Sequence, residues 1–154
     1  MGIFSKEVEY FGIDLGSGGI RLVQLKRGAR PTLVTYGHVE VMGNITSSDA
    51  PGDIAKVAAV IRQLVKDTRV STNYVVAGVP SSKVFSSIIT TPVLSGGELR
   101  KAIELQADQY IPMAIKDIKL DYVVMGPGKT PHEQEVLVVA APNTVTEKYL
   151  SICE

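Results

Sequence analysis

The sequence predicts a mixed α/β fold, and three observations carry this prediction. Several short segments rich in Val, Ile and Thr alternate apolar with polar residues, which is typical of strands. Longer segments instead repeat apolar residues every three or four positions, as amphipathic helices do. The two kinds of segment follow one another along the chain, which favours packed layers of sheet and helix. Hydrophobic residues make up 45% of the 154 residues, enough to build a core.

The first half of the chain predicts three strands, a helix and a further strand. A glycine-rich turn, Gly16-Ser17-Gly18-Gly19, separates the first two strands and indicates a β-hairpin. Within the second strand Ile20, Leu22 and Leu25 are the apolar positions, with polar residues such as Gln24 between them. In order, the expected elements are strands over 10–15, 20–26 and 32–41, a helix over 53–67 and a strand over 73–79.

The second half predicts strands and two capped helices. Ser95-x-x-Glu98 has the pattern of a capping box, and the helix that it opens should run to about Tyr110, because Pro112 stops it. Thr144-x-x-Glu147 should open another helix, inside which the sequence ends. We therefore expect the sequence to be the first portion of a longer protein. The expected strands cover 84–90, 119–125 and 135–141, and a loop over 126–133 joins the last two.

Charge and composition exclude several classes of function. Lys and Arg balance Asp and Glu at 16 each, whereas electrostatic capture of nucleic acid needs a basic excess. The longest apolar run covers 136–141, far short of the roughly 20 residues of a membrane-spanning helix. Cys153 is the one cysteine, so no internal disulfide can form, which fits a reducing cytoplasm. His38 and His132 stand far apart and are predicted to be surface residues.

The segment Asp14-Leu15-Gly16-Ser17-Gly18-Gly19 carries the clearest chemical signal. Glycines allow backbone amides to crowd into a concave turn that can hold phosphate oxygens. Ser17 adds a hydroxyl donor, Arg21 adds positive charge, and Asp14 could hold a metal-bound water beside the phosphates. The alternative is an ordinary glycine-rich hairpin turn that Asp14 caps.

Three other patterns are weaker. Gly128-Lys129-Thr130 looks like the end of a P-loop, but Val123 replaces the required glycine, so a hairpin loop is predicted. Asp121 with Glu133 or Glu135 could form an acid pair, although these residues flank a loop and should face solvent. The segment 110–113, Tyr-Ile-Pro-Met, could line a peptide groove or pack into the core. No nucleophilic triad stands out, so no catalytic residue is predicted.

The chain resembles a known family at this point. Phe11-Gly-Ile-Asp-Leu-Gly-Ser17, followed by Arg21-Leu-Val23, resembles the first phosphate loop of the actin-like ATPase superfamily. The series that follows is similar to the N-terminal portion of the PilM family, FtsA-related actin-like proteins of type IV pilus assembly. That series includes Val76-Ala-Gly-Val-Pro-Ser81, Thr91-Pro92, Gln109-Tyr-Ile-Pro112, Leu120-Asp-Tyr122 and Val136-Leu-Val-Val-Ala-Ala-Pro142.

The resemblance implies an architecture, the first lobe of an actin-like ATPase fold. Residues 1–80 would form subdomain 1A with the phosphate loop, and residues 81–135 would form the inserted subdomain 1C. Residues 136–154, a strand and a helix, would return toward subdomain 1A.

The resemblance also implies partners and sites. ATP with magnesium would lie between two lobes, held here by Asp14, Gly16, Ser17, Gly18, Gly19 and Arg21, with Asp14 nearest the metal. A groove between subdomains 1A and 1C would take the cytoplasmic N-terminal tail of the membrane protein PilN. Other pilus assembly and motor proteins would join this inner-membrane platform, so the protein would be cytoplasmic and peripheral to the membrane. The residues expected at the groove are Arg100, Ile103, Tyr110, Ile111 and Pro112.

One departure from the family pattern limits these expectations. Family members run to more than twice this length, and their second lobe brings another Asp-x-Gly loop, whereas Asp14-Leu15-Gly16 stands alone here. We therefore expect weak or no ATP binding, no hydrolysis and some self-association through uncovered apolar surface. Two alternatives remain: an ATP-dependent relative of sugar kinases, which needs a catalytic carboxylate at a substrate pocket, and the cytoplasmic module of type II secretion, which tends to lack an intact phosphate loop.

Overall fold

A computed structural model describes residues 9–154 and shows two compact units. The first unit takes the described residues up to Val79 together with Lys148–Glu154, and the second takes Pro80–Glu147. Each unit has one β-sheet and its own cluster of buried apolar side chains. Within the described residues no helix is both long and apolar enough to cross a membrane.

The first unit is built on a four-stranded sheet in the order β3-β2-β1-β4. β1 pairs antiparallel with β2 and parallel with β4, and β2 pairs antiparallel with β3. The parallel pair needs a crossover connection, which a helix, α1, supplies. The elements are β1 (Phe11–Gly16), β2 (Gly19–Lys26), β3 (Thr32–Val39), α1 (Pro51–Thr68) and β4 (Val75–Gly78).

Helix α1 covers one face of this sheet. Pro51 occupies the start of the helix, where its missing N–H costs nothing, so α1 begins before the predicted position 53. Its buried residues include Val57, Ile61 and Leu64, which repeat at helical spacing. Gly37 on β3 lets the helix approach closely, because a Cβ there would lie 2.8 Å from Leu64 Cδ1.

Strand β2 follows the predicted alternation only in part. Ile20 and Leu22 are buried as expected, but Leu25 is 47% exposed, because the regular alternation of the strand places Gln24, and not Leu25, on the buried face. Gln24 instead points inward and is 2% exposed. Its amide group donates to Ser71 Oγ at 2.6 Å and accepts from the Ser71 N–H at 3.0 Å. The buried amide is therefore hydrogen-bonded on both sides.

The second unit is a three-stranded antiparallel sheet in the order β5-β7-β6, covered by helix α2. Leu99, Ile103 and Ala107 of α2 belong to the same buried cluster as Val136 and Val138 of β7. A last helix, α3, begins in this unit and ends in the first, where Ile152 joins the other core. The elements are β5 (Phe85–Pro92), α2 (Gly96–Tyr110), β6 (Ile118–Pro127), β7 (Glu133–Pro142), α3 (Asn143–Cys153) and two 3₁₀ turns, Ser81–Lys83 and Ile115–Asp117.

Both predicted helix caps need correction. Ser95 is the N-cap of α2, but its side chain makes no capping hydrogen bond, and its carbonyl accepts the Glu98 N–H at 3.2 Å. Gly96 follows with φ 52°, which is not the right-handed entry that a capping box requires. Helix α3 begins at Asn143, so Thr144 lies in its first turn and is not its cap.

The β6–β7 hairpin shows what becomes of two of the weaker sequence patterns, the P-loop-like segment 128–130 and the possible acid pair at Asp121. The Gly128 N–H donates to the Glu133 carbonyl and the Glu133 N–H donates to the Thr130 carbonyl, so this loop is a tight hairpin connection, as predicted. Asp121 lies opposite Val139, whereas Glu135 lies opposite Gly126, so the sheet register does not make an acid pair. The Asp121 carboxylate instead accepts the N–H of Tyr122 at 2.9 Å on β6, an edge strand.

Candidate functional site

The glycine turn, Gly16-Ser17-Gly18-Gly19, links β1 to β2 and exposes part of its backbone to solvent. Gly16 pairs with Gly19 across the hairpin, and Ser17 and Gly18 between them are exposed. Gly19 is buried with φ 149°, and a Cβ there would lie 2.5 Å from the Val39 carbonyl oxygen. Glycine is therefore required at this position by both conformation and space. A Cβ on Gly18 would meet nothing within 4 Å.

Asp14 and Arg21 face each other beside this turn. They are paired in the β1–β2 register, and Arg21 Nη1 donates to Asp14 Oδ2 at 3.2 Å. More than half of each side chain is exposed, so the ion pair contributes at most about 1 kcal/mol to stability. Both charged groups therefore remain within reach of a ligand at the turn.

The turn carries the groups that the prediction of a phosphate site requires. A Cβ on Gly16 would lie 3.0 Å from Arg21 Nη1 and 3.4 Å from Asp14 Oδ2, so glycine leaves open backbone between the two charges. Among the side chains that the structure describes, which leave out that of Asp108, no three of His, Cys, Asp or Glu gather into a metal site. Mg²⁺ is commonly held by one or two carboxylates plus the phosphates of its substrate, a mode for which Asp14 is suited.

Four residues border the turn that the sequence did not indicate. The Thr46 hydroxyl donates to the Gly16 carbonyl at 3.2 Å, and Lys148 Nζ donates to the Thr46 carbonyl at 3.2 Å. His38 Nε2 lies 2.8 Å from the place of a Cβ on Gly19. Burial, and secondarily the charge of Asp14, raises the pKa of the Tyr149 phenol. All four come from distant parts of the sequence, so no local pattern could have found them.

The residues expected at a partner groove separate into two groups. Ile103 and Ile111 are 1% and 4% exposed and pack in the core of the second unit. Tyr110 is 42% exposed and Pro112 is exposed. Arg100 is exposed on α2 and its Nε donates to Glu104 Oε1 at 3.0 Å.

A narrow crevice brings three of these residues together. It lies between the C-terminal half of α2 and the sheet, and its lining is largely apolar. Tyr110 supplies the exposed part of this lining, because Ile103 and Ile111 lie deep. The lining residues are Phe85, Ser87, Ile89, Ile103, Ala107, Tyr110, Ile111 and Val138.

The chain matches a protein-family model and resembles several solved structures, of which two are described here. The family model described as "Type IV pilus assembly protein PilM" matches residues 12–153. A structure titled "PilM-PilN type IV pilus biogenesis complex" matches with a TM-score of 0.83 and 23% identity, over 95% of this chain and 44% of that chain. This sequence thus spans less than half the length of that protein.

A second solved structure shares the fold more distantly. It is the cytoplasmic domain of EpsL, an inner-membrane component of the type II secretion system of Vibrio cholerae. The match has a TM-score of 0.52 and 11% identity, and it covers 94% of this chain and 51% of that chain. At these identities the structural matches show the fold alone, and they confirm the predicted mixed α/β fold of an actin-like first lobe. Because the family model covers residues 12–153, the chain belongs to the PilM family of type IV pilus assembly proteins.

Proposed function

We propose that the chain is a scaffold of the type IV pilus assembly platform and docks the cytoplasmic N-terminal tail of a PilN protein. The observation that carries this proposal is the family match over residues 12–153, supported by the fold match to a PilM–PilN complex. In this role the protein lies in the cytoplasm and reaches the inner membrane through its partner. The platform would include other pilus assembly and motor proteins.

The tail docks on the second unit, at the C-terminal end of α2. Tyr110 and Pro112 form an exposed apolar surface above the crevice, and Arg100 adds positive charge on the same helix. Partly exposed aromatic side chains beside an apolar crevice are typical anchors of peptide binding. Ile103 and Ile111 hold this surface in place from the core side.

Tail binding can be measured with a fluorescently labelled PilN peptide. We expect a Kd in the micromolar range, roughly −8 kcal/mol. Replacing Tyr110 by Ala removes the aromatic anchor, and Arg100→Glu reverses the charge, so each should weaken binding about tenfold or more. The measurement is fluorescence anisotropy on variants shown to be folded by circular dichroism.

Tyr36→Ala is the matched control, because Tyr36 is a 73% exposed tyrosine of the first unit. It should bind the peptide as the unaltered protein does. A folded protein that binds no peptide at millimolar concentration would contradict the docking function, and equal losses in Tyr36→Ala and Tyr110→Ala would contradict the docking surface.

The glycine turn forms one side of a nucleotide site. Gly16, Ser17, Gly18 and Gly19 offer backbone amides and a hydroxyl to phosphate oxygens, while Arg21 and Asp14 flank them with a cation and a metal-binding carboxylate. Bound Mg²⁺ would neutralise phosphate charge at this place. A nucleotide site ordinarily encloses most of its ligand, whereas this turn is open to solvent.

Titration calorimetry with magnesium ATP should therefore detect weak binding or none, and a phosphate-release assay should detect no hydrolysis. The physical reason is that one exposed turn supplies too few contacts to offset the cost of immobilising the ligand. Tight, stoichiometric binding by the 154-residue chain would overturn this expectation.

A further inference from the structure

A chain of polar contacts, partly buried at Thr46 and Lys148, ties the glycine turn to helix α3. The Thr46 hydroxyl donates to the Gly16 carbonyl at 3.2 Å. Lys148 Nζ donates to the Thr46 carbonyl at 3.2 Å and to Asp49 Oδ1 at 3.0 Å. Thr46 lies 30 positions from Gly16, and Lys148 lies 102 positions from Thr46. All of these residues belong to the first unit.

Burial makes these contacts specific. Thr46 is 5% exposed, and the side chain of Lys148 is 9% exposed. An ammonium group that is largely withdrawn from water needs acceptors, and Lys148 Nζ has the Thr46 carbonyl and the carboxylate of Asp49, a side chain that is 73% exposed. Its bond to the Thr46 carbonyl therefore holds the backbone of Thr46 in place. The Thr46 hydroxyl is held in turn at the end of β1.

The bond to Gly16 sets the direction of the next amide. Gly16 C=O and Ser17 N–H belong to one planar trans peptide group, in which the oxygen and the hydrogen point in opposite directions. Because Gly16 O is drawn toward the buried Thr46, Ser17 N–H points away from the buried side. That is the exposed side of the turn, where an anion can reach the amide.

We infer that Thr46 and Lys148 are positioning residues that hold the Ser17 amide in the orientation needed to bind a phosphate oxygen. This inference rests on the nucleotide part of the proposed function. The phosphate contacts the turn alone. Thr46 acts through Gly16, and Lys148 acts through Thr46, so neither side chain needs to touch the ligand.

The orientation can be measured without a ligand by backbone amide relaxation in NMR. Thr46→Val keeps the side-chain shape and removes the hydroxyl, and Lys148→Met keeps most of the stem and removes the charge. In each variant the order parameter of Ser17 N–H should fall from about 0.85, a rigid value, to below about 0.6. The amides of β1 before Gly16 should keep their values, which establishes that the first unit is folded.

Two control variants separate positioning from general loss of stability. Thr46→Ser retains the hydroxyl and should restore the Ser17 order parameter. Thr35→Val removes a bond of the same kind, from the Thr35 hydroxyl to the Thr68 carbonyl at 2.7 Å, at a site remote from the turn in sequence. It should leave Ser17 unchanged. An unchanged Ser17 order parameter in both Thr46→Val and Lys148→Met would overturn the inference, as would an equal fall in Thr35→Val.

A second measurement distinguishes failure of this inference from failure of the nucleotide proposal. Magnesium ATP is added to the unaltered chain while the Ser17 and Gly18 amide resonances are followed. Shifts that require about tenfold more ATP in Thr46→Val support both proposals. Shifts with equal ATP dependence in the two proteins overturn the positioning role. If the unaltered chain gives no shift at millimolar ATP, the turn by itself does not hold a nucleotide, which is the no-binding result expected above, and the order parameters then decide the positioning role.

Discussion

Replacing Gly19 by Ala should lower the free energy of unfolding of the first unit by about 3 kcal/mol, at the upper end of what single backbone strain costs. The backbone φ of 149° is essentially restricted to glycine. The added Cβ would also lie 2.5 Å from the Val39 carbonyl oxygen and 2.8 Å from His38 Nε2. The carbonyl belongs to the backbone of the last residue of β3 and cannot move without disturbing the sheet. Urea unfolding followed by far-UV circular dichroism measures the loss.

Gly18→Ala is the matched control for this substitution. Gly18 lies in the same turn, its φ is not positive, and a Cβ there meets nothing within 4 Å. Its stability should stay within about 0.5 kcal/mol of the unaltered chain, as is usual for exposed positions. If Gly19→Ala and Gly18→Ala proved equally stable, the close packing of the turn against β3 would be wrong.

Ile103→Ala should strongly destabilise the second unit. Ile103 is 1% exposed and lies in the cluster between α2 and the sheet. Shortening a buried Ile to Ala removes favourable burial and leaves a cavity, which together cost about 2–5 kcal/mol. That is a large fraction of the roughly 5–15 kcal/mol that stabilises a typical domain. The same unfolding experiment measures it, with tyrosine fluorescence as a second signal.

Leu105→Ala tests whether this loss comes from burial. Leu105 lies on the same helix, and it is 86% exposed. Its replacement should change stability by less than about 0.5 kcal/mol. The PilN peptide binding proposed above should follow the same order: it should be lost in Ile103→Ala, because the fold is lost, and retained in Leu105→Ala. Equal stability of the two variants would show that α2 does not pack through Ile103.

The sequence predicted the elements whose signals are local. Each of these signals comes from residues that are close together in the sequence. They are the alternation in β1 and β2, the glycines between these strands, and the helical spacing of Val57, Ile61 and Leu64. Each such signal is sufficient to recognise a hairpin or an amphipathic helix. The prediction of a phosphate site over Asp14 to Gly19 also rests on residues that are adjacent in the chain, and it stays a prediction.

The parts that the sequence did not predict depend on distant residues. Gln24 is polar, so the sequence alone predicts that it faces solvent. In the structure it is buried, because Ser71 provides both of its hydrogen-bond partners from 47 positions away. The parallel pairing of β1 with β4 joins strands separated by a helix. The contacts of Thr46 with Gly16 and Lys148 are likewise non-local. At Ser95 the capping-box pattern is present, but the Ser95 side chain makes no capping hydrogen bond. The positive φ of Gly96 gives the helix start a backbone conformation that a capping box does not have.

The Asp121 carboxylate has a consequence for the behaviour of the protein at high concentration. An exposed edge strand is a template on which a strand from another molecule can add, and this is a common start of aggregation. At the edge strand β6, Asp121 already occupies the N–H of Tyr122. An incoming strand would have to displace that contact and accept a negative charge beside its own backbone. Asp121 thus acts as a gatekeeper that opposes cross-β growth from this edge.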